Sequence, residues 1–166
     1  FAKHLKDRGE FKAAEATVFE SGSNQWRTYS AWPPKEAVTK SLYFRDNGLL
    51  SFDAPARADS AGVDRYVSDP AKPVPYRKRP IEPTYYPKGS GWRTWLMEDQ
   101  RFVQNRPDVL SWQTDVLTSD VVIAGEITAK LFASTTGQDA DWVVKLIDVY
   151  PEENAPDHTL GGYELM

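Results

Sequence analysis

Residues 127–134, Ile-Thr-Ala-Lys-Leu-Phe-Ala-Ser, alternate with a period of two. Ile127, Ala129, Leu131 and Ala133 fall on one face; Thr128, Lys130, Phe132 and Ser134 fall on the other. One apolar and one mixed face at this spacing specify a β-strand, not a helix. Similar stretches surround it: VLSWQTDVL (109–117), VVIAGEITAKLFAST (121–135), DWVVKLIDVYP (141–151) and the start of GGYELM (161–166). Gly125 marks a bend or bulge within the second of these. The polar run TTGQDAD (135–141) joins it to the third as a turn. Several strands with turn signals and little helix suggest a β-sandwich or barrel.

The first half of the chain agrees. EATVFES (15–21) is β-branched and aromatic and ends at Ser-Gly, as a strand does. Trp26, Tyr29 and Trp32 follow, and Pro33-Pro34 ends regular pairing. Asn47-Gly48 separates SLYFRD (41–46) from LLSFD (49–53), the signature of a β-hairpin with a type I′ turn. Residues 54–108 are mostly irregular, with Pro70, Pro73, Pro75, Pro80, Pro83 and Pro87 breaking any sheet. A long loop inside a domain is often functional. One stretch reads as helical: in FAKHLKDR (1–8), Phe1 and Leu5 share a face, and Gly9 suits a C-cap.

Composition narrows the chemistry. The 166 residues include no Cys, so a disulfide framework, a thiolate zinc site and a cysteine nucleophile are excluded. Twenty basic against 24 acidic residues give a net charge of −4, which argues against a nucleic-acid module. The densest basic cluster, Arg77-Lys78-Arg79, reads as a solvated loop between Pro75 and Pro80. No run approaches the roughly 18 apolar residues of a helical membrane span.

Catalytic motifs are missing. ESGSNQW (20–26) and KGSGWR (88–93) lack the Gly-x-Ser-x-Gly spacing of a nucleophile elbow. His4 and His158 are the two histidines, and neither has a serine or acid arranged beside it. Asp139 and Asp141 read as turn residues and not as calcium ligands, and no metal or cofactor is expected.

The run 142–149 is apolar on both faces, as in a covered central strand. Trp142, Val144 and Leu146 share one face with Asp148; Val143, Ile147 and Val149 share the other with Lys145. A charge in such a strand must pair, hydrogen-bond or reach the rim. Asp141, Lys145 and Asp148 are therefore expected to be structural polar residues, with Asp148 meeting Arg101, Arg106 or a backbone amide. The strand-borne Trp26, Trp32, Trp112 and Trp142 are expected in the core.

Beyond these patterns, VFESGSNQWRTYSAWP (18–33), SDPAKPVP (68–75), WRTWLMEDQRFV (92–103) and the whole of 99–153 resemble the C-terminal region of α-amino-acid ester hydrolases. That group also holds cocaine esterases, glutaryl cephalosporin acylases and X-Pro dipeptidyl-peptidases. The resemblance covers nearly the whole chain.

It implies an all-β, jelly-roll-type β-sandwich from about residue 14 to 166, incomplete at its C-terminus. Residues 1–13 would be a short N-terminal helical remnant and linker from an α/β-hydrolase domain. The family's Ser-Asp-His triad would lie upstream, so no catalytic residue is expected here. The expected partners are the α/β-hydrolase and cap domains of the same protein, with homo-oligomer contacts, and no nucleic acid or membrane. An incomplete jelly roll would expose unpaired edges and apolar core. In this family the domain can wall an acyl pocket, and the loop before Asp99 would reach it, carrying Tyr85, Tyr86, Trp92 and Trp95. Aromatics offer large rigid apolar faces to an acyl side chain. Two alternatives are an X-Pro dipeptidyl-peptidase C-terminal domain and a free-standing carbohydrate-binding jelly roll.

Overall fold

The computed structural model describes residues 2–55, 62–87, 89–92, 95, 97–153 and 161–165. Strand is the main regular structure and helix is slight, as expected of an all-β chain. The residues divide into two units: 1–41 with 116–131, and 42–115 with 132–166.

The first unit holds α1 (Ala2–Lys6), β1 (Ala16–Glu20) and β2 (Gln25–Tyr29). The helix ends sooner than Gly9. Asp7 adopts φ 47°, and its N–H donates to the Lys3 carbonyl at 3.1 Å, a left-handed cap. The strands pair antiparallel over five residues, from Ala16 opposite Tyr29 to Glu20 opposite Gln25. The predicted strand over 15–21 is therefore one arm of a hairpin, and Trp26 and Tyr29 lie on the other. Phe19 and Trp26, directly opposite, meet edge-to-face at 5.5 Å. Gly125 adopts φ 105°, and a Cβ there would come within 3.0 Å of the Pro33 side chain, so the predicted bend needs glycine.

The second unit holds β3 (Tyr43–Phe44), β4 (Leu50–Ser51), β5 (Tyr85–Tyr86), β6 (Gly89–Ser90), β7 (Asp148–Val149) and β8 (Glu164–Leu165). They form three antiparallel pairs: β3 with β4, β5 with β6, β7 with β8. The Asn47-Gly48 hairpin forms as the sequence predicts. Asn47 (φ 59°, ψ 29°) and Gly48 (φ 73°) both take the positive φ of a type I′ turn. The Leu49 N–H donates to the Asp46 carbonyl at 3.4 Å, and the Arg45 N–H donates to the Leu49 carbonyl at 2.8 Å. Leu49 thus faces two residues, so a bulge adjoins the turn. Gln113 runs parallel beside Leu49, donating to the Gly48 carbonyl and accepting from Leu50.

The strands expected over 109–147 do not form ladders. Gln113 makes a single bridge, and pairing resumes only at Asp148. Alternation fixes which side chains share a face, but a strand also needs a neighbouring backbone. Their apolar side chains are correspondingly open. In the first unit Val116 is 93% exposed, with Val122, Ile123 and Ile127 also exposed. In the second, Phe132 is 94% exposed, with Val143 and Val144 exposed.

Three of the four tryptophans expected in the core are exposed as well: Trp26, Trp32 and Trp142. No second apolar layer covers them among the described residues. Trp112 is half-buried and meets Phe44 at 4.4 Å with the rings tilted at 43°.

Candidate functional site

Four described residues are buried: Val103, Arg77, Gln100 and Glu164. Three of the four are polar, and all four belong to the second unit. Burial of polar groups is tolerated when each finds a partner, and here each step can be followed.

Arg77 is 8% exposed, so the reading of Arg77-Lys78-Arg79 as one solvated cluster is corrected. Its Nε donates to Glu98 Oε2 at 2.7 Å and a terminal nitrogen donates to Glu98 Oε1 at 3.3 Å. This two-point contact fits the planar guanidinium to the carboxylate. A further Arg77 nitrogen donates to the Glu82 carbonyl at 3.3 Å. Lys78 and Arg79 remain exposed.

Gln100 is 1% exposed and has both ends of its amide engaged. Its Nε2 donates to the Glu98 carbonyl at 2.6 Å, and its Oε1 accepts from Lys145 Nζ at 2.6 Å. Lys145 also lies 4.9 Å from the Tyr76 ring centroid. Lys145, a charge in an otherwise apolar run, thus has Gln100 as its polar partner. Burial pushes its pKa below the ordinary lysine value, and the nearby Glu98 opposes that shift.

The other two residues expected to be structural lie elsewhere. Asp141 and Asp148 are exposed, and Asp148 pairs through its backbone with Leu165. The arginines expected beside Asp148 pair with other acids instead: Arg101 with Asp99 at 2.9 Å and Arg106 with Asp108 at 2.6 Å. Neighbours two residues apart reach each other at little cost in chain entropy. Asp99 also caps the 3-10 turn at Gln100–Phe102, accepting from Arg101 N–H, and accepts from the Glu164 N–H at 3.2 Å. Burial, with Asp99 close by, raises the Glu164 pKa.

Above this network lies a cavity of about 660 Å3. Pro73, Pro75, Ile81 and Pro83 give it apolar walls, and Tyr76, Trp92 and Trp95 give it aromatic ones. The aromatics form a chain: Tyr76 to Trp95 at 5.8 Å, Trp95 to Trp92 at 4.4 Å, and Trp92 to Tyr85 at 6.1 Å. The Arg77 guanidinium lies 5.9 Å from the Trp95 ring. The structure thus places Trp92 and Trp95 on the wall and Tyr85 behind Trp92. Tyr86 contributes backbone to β5, and its side chain lies outside the described residues, as does His158.

Sequence reasoning missed Tyr76, Arg77, Glu98 and Gln100. Arg77 and Glu98 are 21 residues apart, and Gln100 and Lys145 are 45 apart. No local pattern joins such pairs. Tyr76-Arg77 between prolines was the one signal, since an arginine beside aromatics can stack as well as solvate.

Trp92 and Trp95 meet at 79°. Rings nearly at right angles form a corner and not the flat platform that stacks on a sugar. The lining offers apolar and aromatic surface, the Thr84 hydroxyl and the charges of Arg77, Arg79 and Glu82. That inventory serves binding and orientation. Among the described residues, no group of three or more His, Asp or Glu could hold a metal ion.

The X-Pro dipeptidyl-peptidase C-terminal non-catalytic domain matches residues 9–162. The chain belongs to this family. Another similar protein is the cocaine esterase of Rhodococcus sp. (strain MB1 Bresler), 29% identical over 163 residues. That match covers 93% of this chain and 27% of the esterase. The fold of this non-catalytic domain is shared with the crystal structure of an aminopeptidase from a marine sediment archaeon, Thaumarchaeota archaeon. The TM-score is 0.88 at 45% identity, over 99% of this chain and 26% of the aminopeptidase. The chain therefore spans about a quarter of the length of these relatives.

Proposed function

We propose that this non-catalytic domain works within a serine-dependent ester and amide hydrolase, as a jelly-roll-type sandwich packed on an α/β-hydrolase domain. Residues 1–13 are then the end of a hydrolase-domain helix and its linker, and residues 14–166 belong to the sandwich. The open apolar side chains of each unit are then surface that the sandwich core covers. The observation that carries the reading is the aromatic corner of Trp92 and Trp95, on a domain whose relatives include an esterase and an aminopeptidase. Its role is to support the catalytic domain and wall the acyl pocket. The substrates are α-amino acid esters and β-lactam amides, whose acyl group passes to the serine and then to water or an amine.

A second reading is an X-Pro dipeptidyl-peptidase. The family's own description and the 45% identity to an aminopeptidase favour a peptide substrate. A carbohydrate-binding role is disfavoured by the right-angled tryptophans.

The test uses the full-length protein. Labelling by a fluorophosphonate reports the serine. Hydrolysis of an aromatic α-amino acid methyl ester is then compared with that of Ala-Pro-p-nitroanilide. Trp92→Ala and Trp95→Ala should raise KM for the aromatic ester by about tenfold, the effect of one lost apolar contact. Unchanged kinetics in both variants remove the wall from the substrate pocket.

A further inference from the structure

Lys145 does not line the cavity, yet it touches two of the groups that hold the cavity wall in place. Its ammonium donates to Gln100 Oε1 at 2.6 Å and faces the Tyr76 ring at 4.9 Å. From Gln100 the contacts run through Glu98 to Arg77, and from Arg77 to the Trp95 ring. From Tyr76 they run directly to Trp95 and on to Trp92. Two routes therefore lead from one ammonium group to the same aromatic corner.

Apolar burial does not explain a lysine here, because a methionine would fill the same space. A methionine could neither donate to Gln100 nor attract the face of Tyr76. Gln100 is almost fully buried, so loss of its donor leaves a buried amide oxygen without that partner. The amide must then re-pair. Its other end is tied to the backbone carbonyl of Glu98, the residue whose side-chain carboxylate holds Arg77. A shift at Gln100 cannot be confined to Gln100.

We propose that Lys145 is a positioning residue that sets the aromatic wall formed by Tyr76, Trp95 and Trp92, and with it the size of acyl group the cavity accepts. The link to acyl size rests on the pocket role given above; the positioning of the wall does not.

The two parts are read separately in the full-length protein labelled with 5-fluorotryptophan. Resonances are assigned by Trp92→Phe and Trp95→Phe, and compared in Lys145→Met, Lys145→Gln and Lys145→Arg. The Trp92 and Trp95 signals should move in Lys145→Met and Lys145→Gln and return in Lys145→Arg, which keeps the charge and the donor. Trp26 and Trp32 should stay fixed in all three. If Trp92 and Trp95 keep their wild-type positions in either uncharged variant, the proposal is overturned. Kinetics with p-nitrophenyl phenylacetate and p-nitrophenyl acetate read the second part. Lys145→Met should raise KM for the phenylacetate about fivefold and leave the acetate and both kcat values within about twofold. Moved resonances with unchanged KM for both esters would keep Lys145 as the positioner of the wall and sink the pocket role instead.

Discussion

The first unit and the second are held together in different ways. In the first, β1 and β2 run a five-pair backbone ladder between neighbouring stretches of chain. In the second, each hairpin pair is two residues long, and the buried groups are a polar network that crosses 21 and 45 residues of sequence. A ladder is specified locally, by β propensity and a turn. A network is specified only once distant segments have met. The candidate site lies in the part built by the network, where geometry is set by side chains and not by regular backbone.

The largest expected effect separates the two modes of construction. Glu98→Gln keeps the shape but removes the carboxylate charge that faces the buried Arg77. Breaking a part-buried pair in this way costs about 3 kcal/mol, visible in urea unfolding of the full-length protein followed by tryptophan fluorescence. Glu20→Gln removes the partner of Arg27 on the open hairpin, where water screens both groups. It should shift the same curve far less. Equal losses in the two variants would erase the distinction.

A smaller effect tests the hairpin of the second unit. Gly48→Ala forces a side chain into φ 73°, and its Cβ would press on the Ser111 carbonyl at 3.2 Å. The expected cost is about 1–2 kcal/mol. Amide exchange should accelerate at Arg45, Leu49 and Leu50, while the β1–β2 amides stay protected. Unchanged exchange at Arg45 would mean that the Gln113 bridge, and not the turn, holds this hairpin.

These differences also explain what the sequence could and could not disclose. The Asn47-Gly48 turn was legible because two adjacent residues carry its whole requirement, positive φ at both. The strand over 15–21 was legible because its β-branched and aromatic residues sit next to one another in the chain. The tryptophans were placed in the core from their strand setting, but burial needs a second layer, which no strand pattern supplies. Likewise 127–134 alternates without pairing among the described residues, because the partner backbone is a separate condition. Lys145 was recognised as a charge that needed a partner. Which partner could not be read, since Gln100 lies in a 3-10 turn with no periodic relation to it.

The smallest effect is a pH response of opposite sign in the two units. Glu20 accepts from Ser23 and Arg27, and both contacts favour its ionised form, so its pKa falls below the ordinary 4.5. Glu164 is buried beside Asp99, which disfavours ionisation, so its pKa rises above 4.5. For Glu164, the folded state binds the proton more tightly than the unfolded state. Its ionisation therefore weakens the second unit as pH rises through its raised pKa, and acidification toward 4.5 relieves that cost. For Glu20, stabilisation is complete above 4.5 and is lost as pH falls further, through its lowered pKa. Amide exchange followed from pH 7 downward should show β8 gaining protection before β1 loses it, after correction for intrinsic rates. Glu164→Gln should abolish the first change and spare the second, while Glu20→Gln does the reverse. If β1 and β8 respond together, the two units open as one, and the contrast in how they are built does not extend to how they unfold.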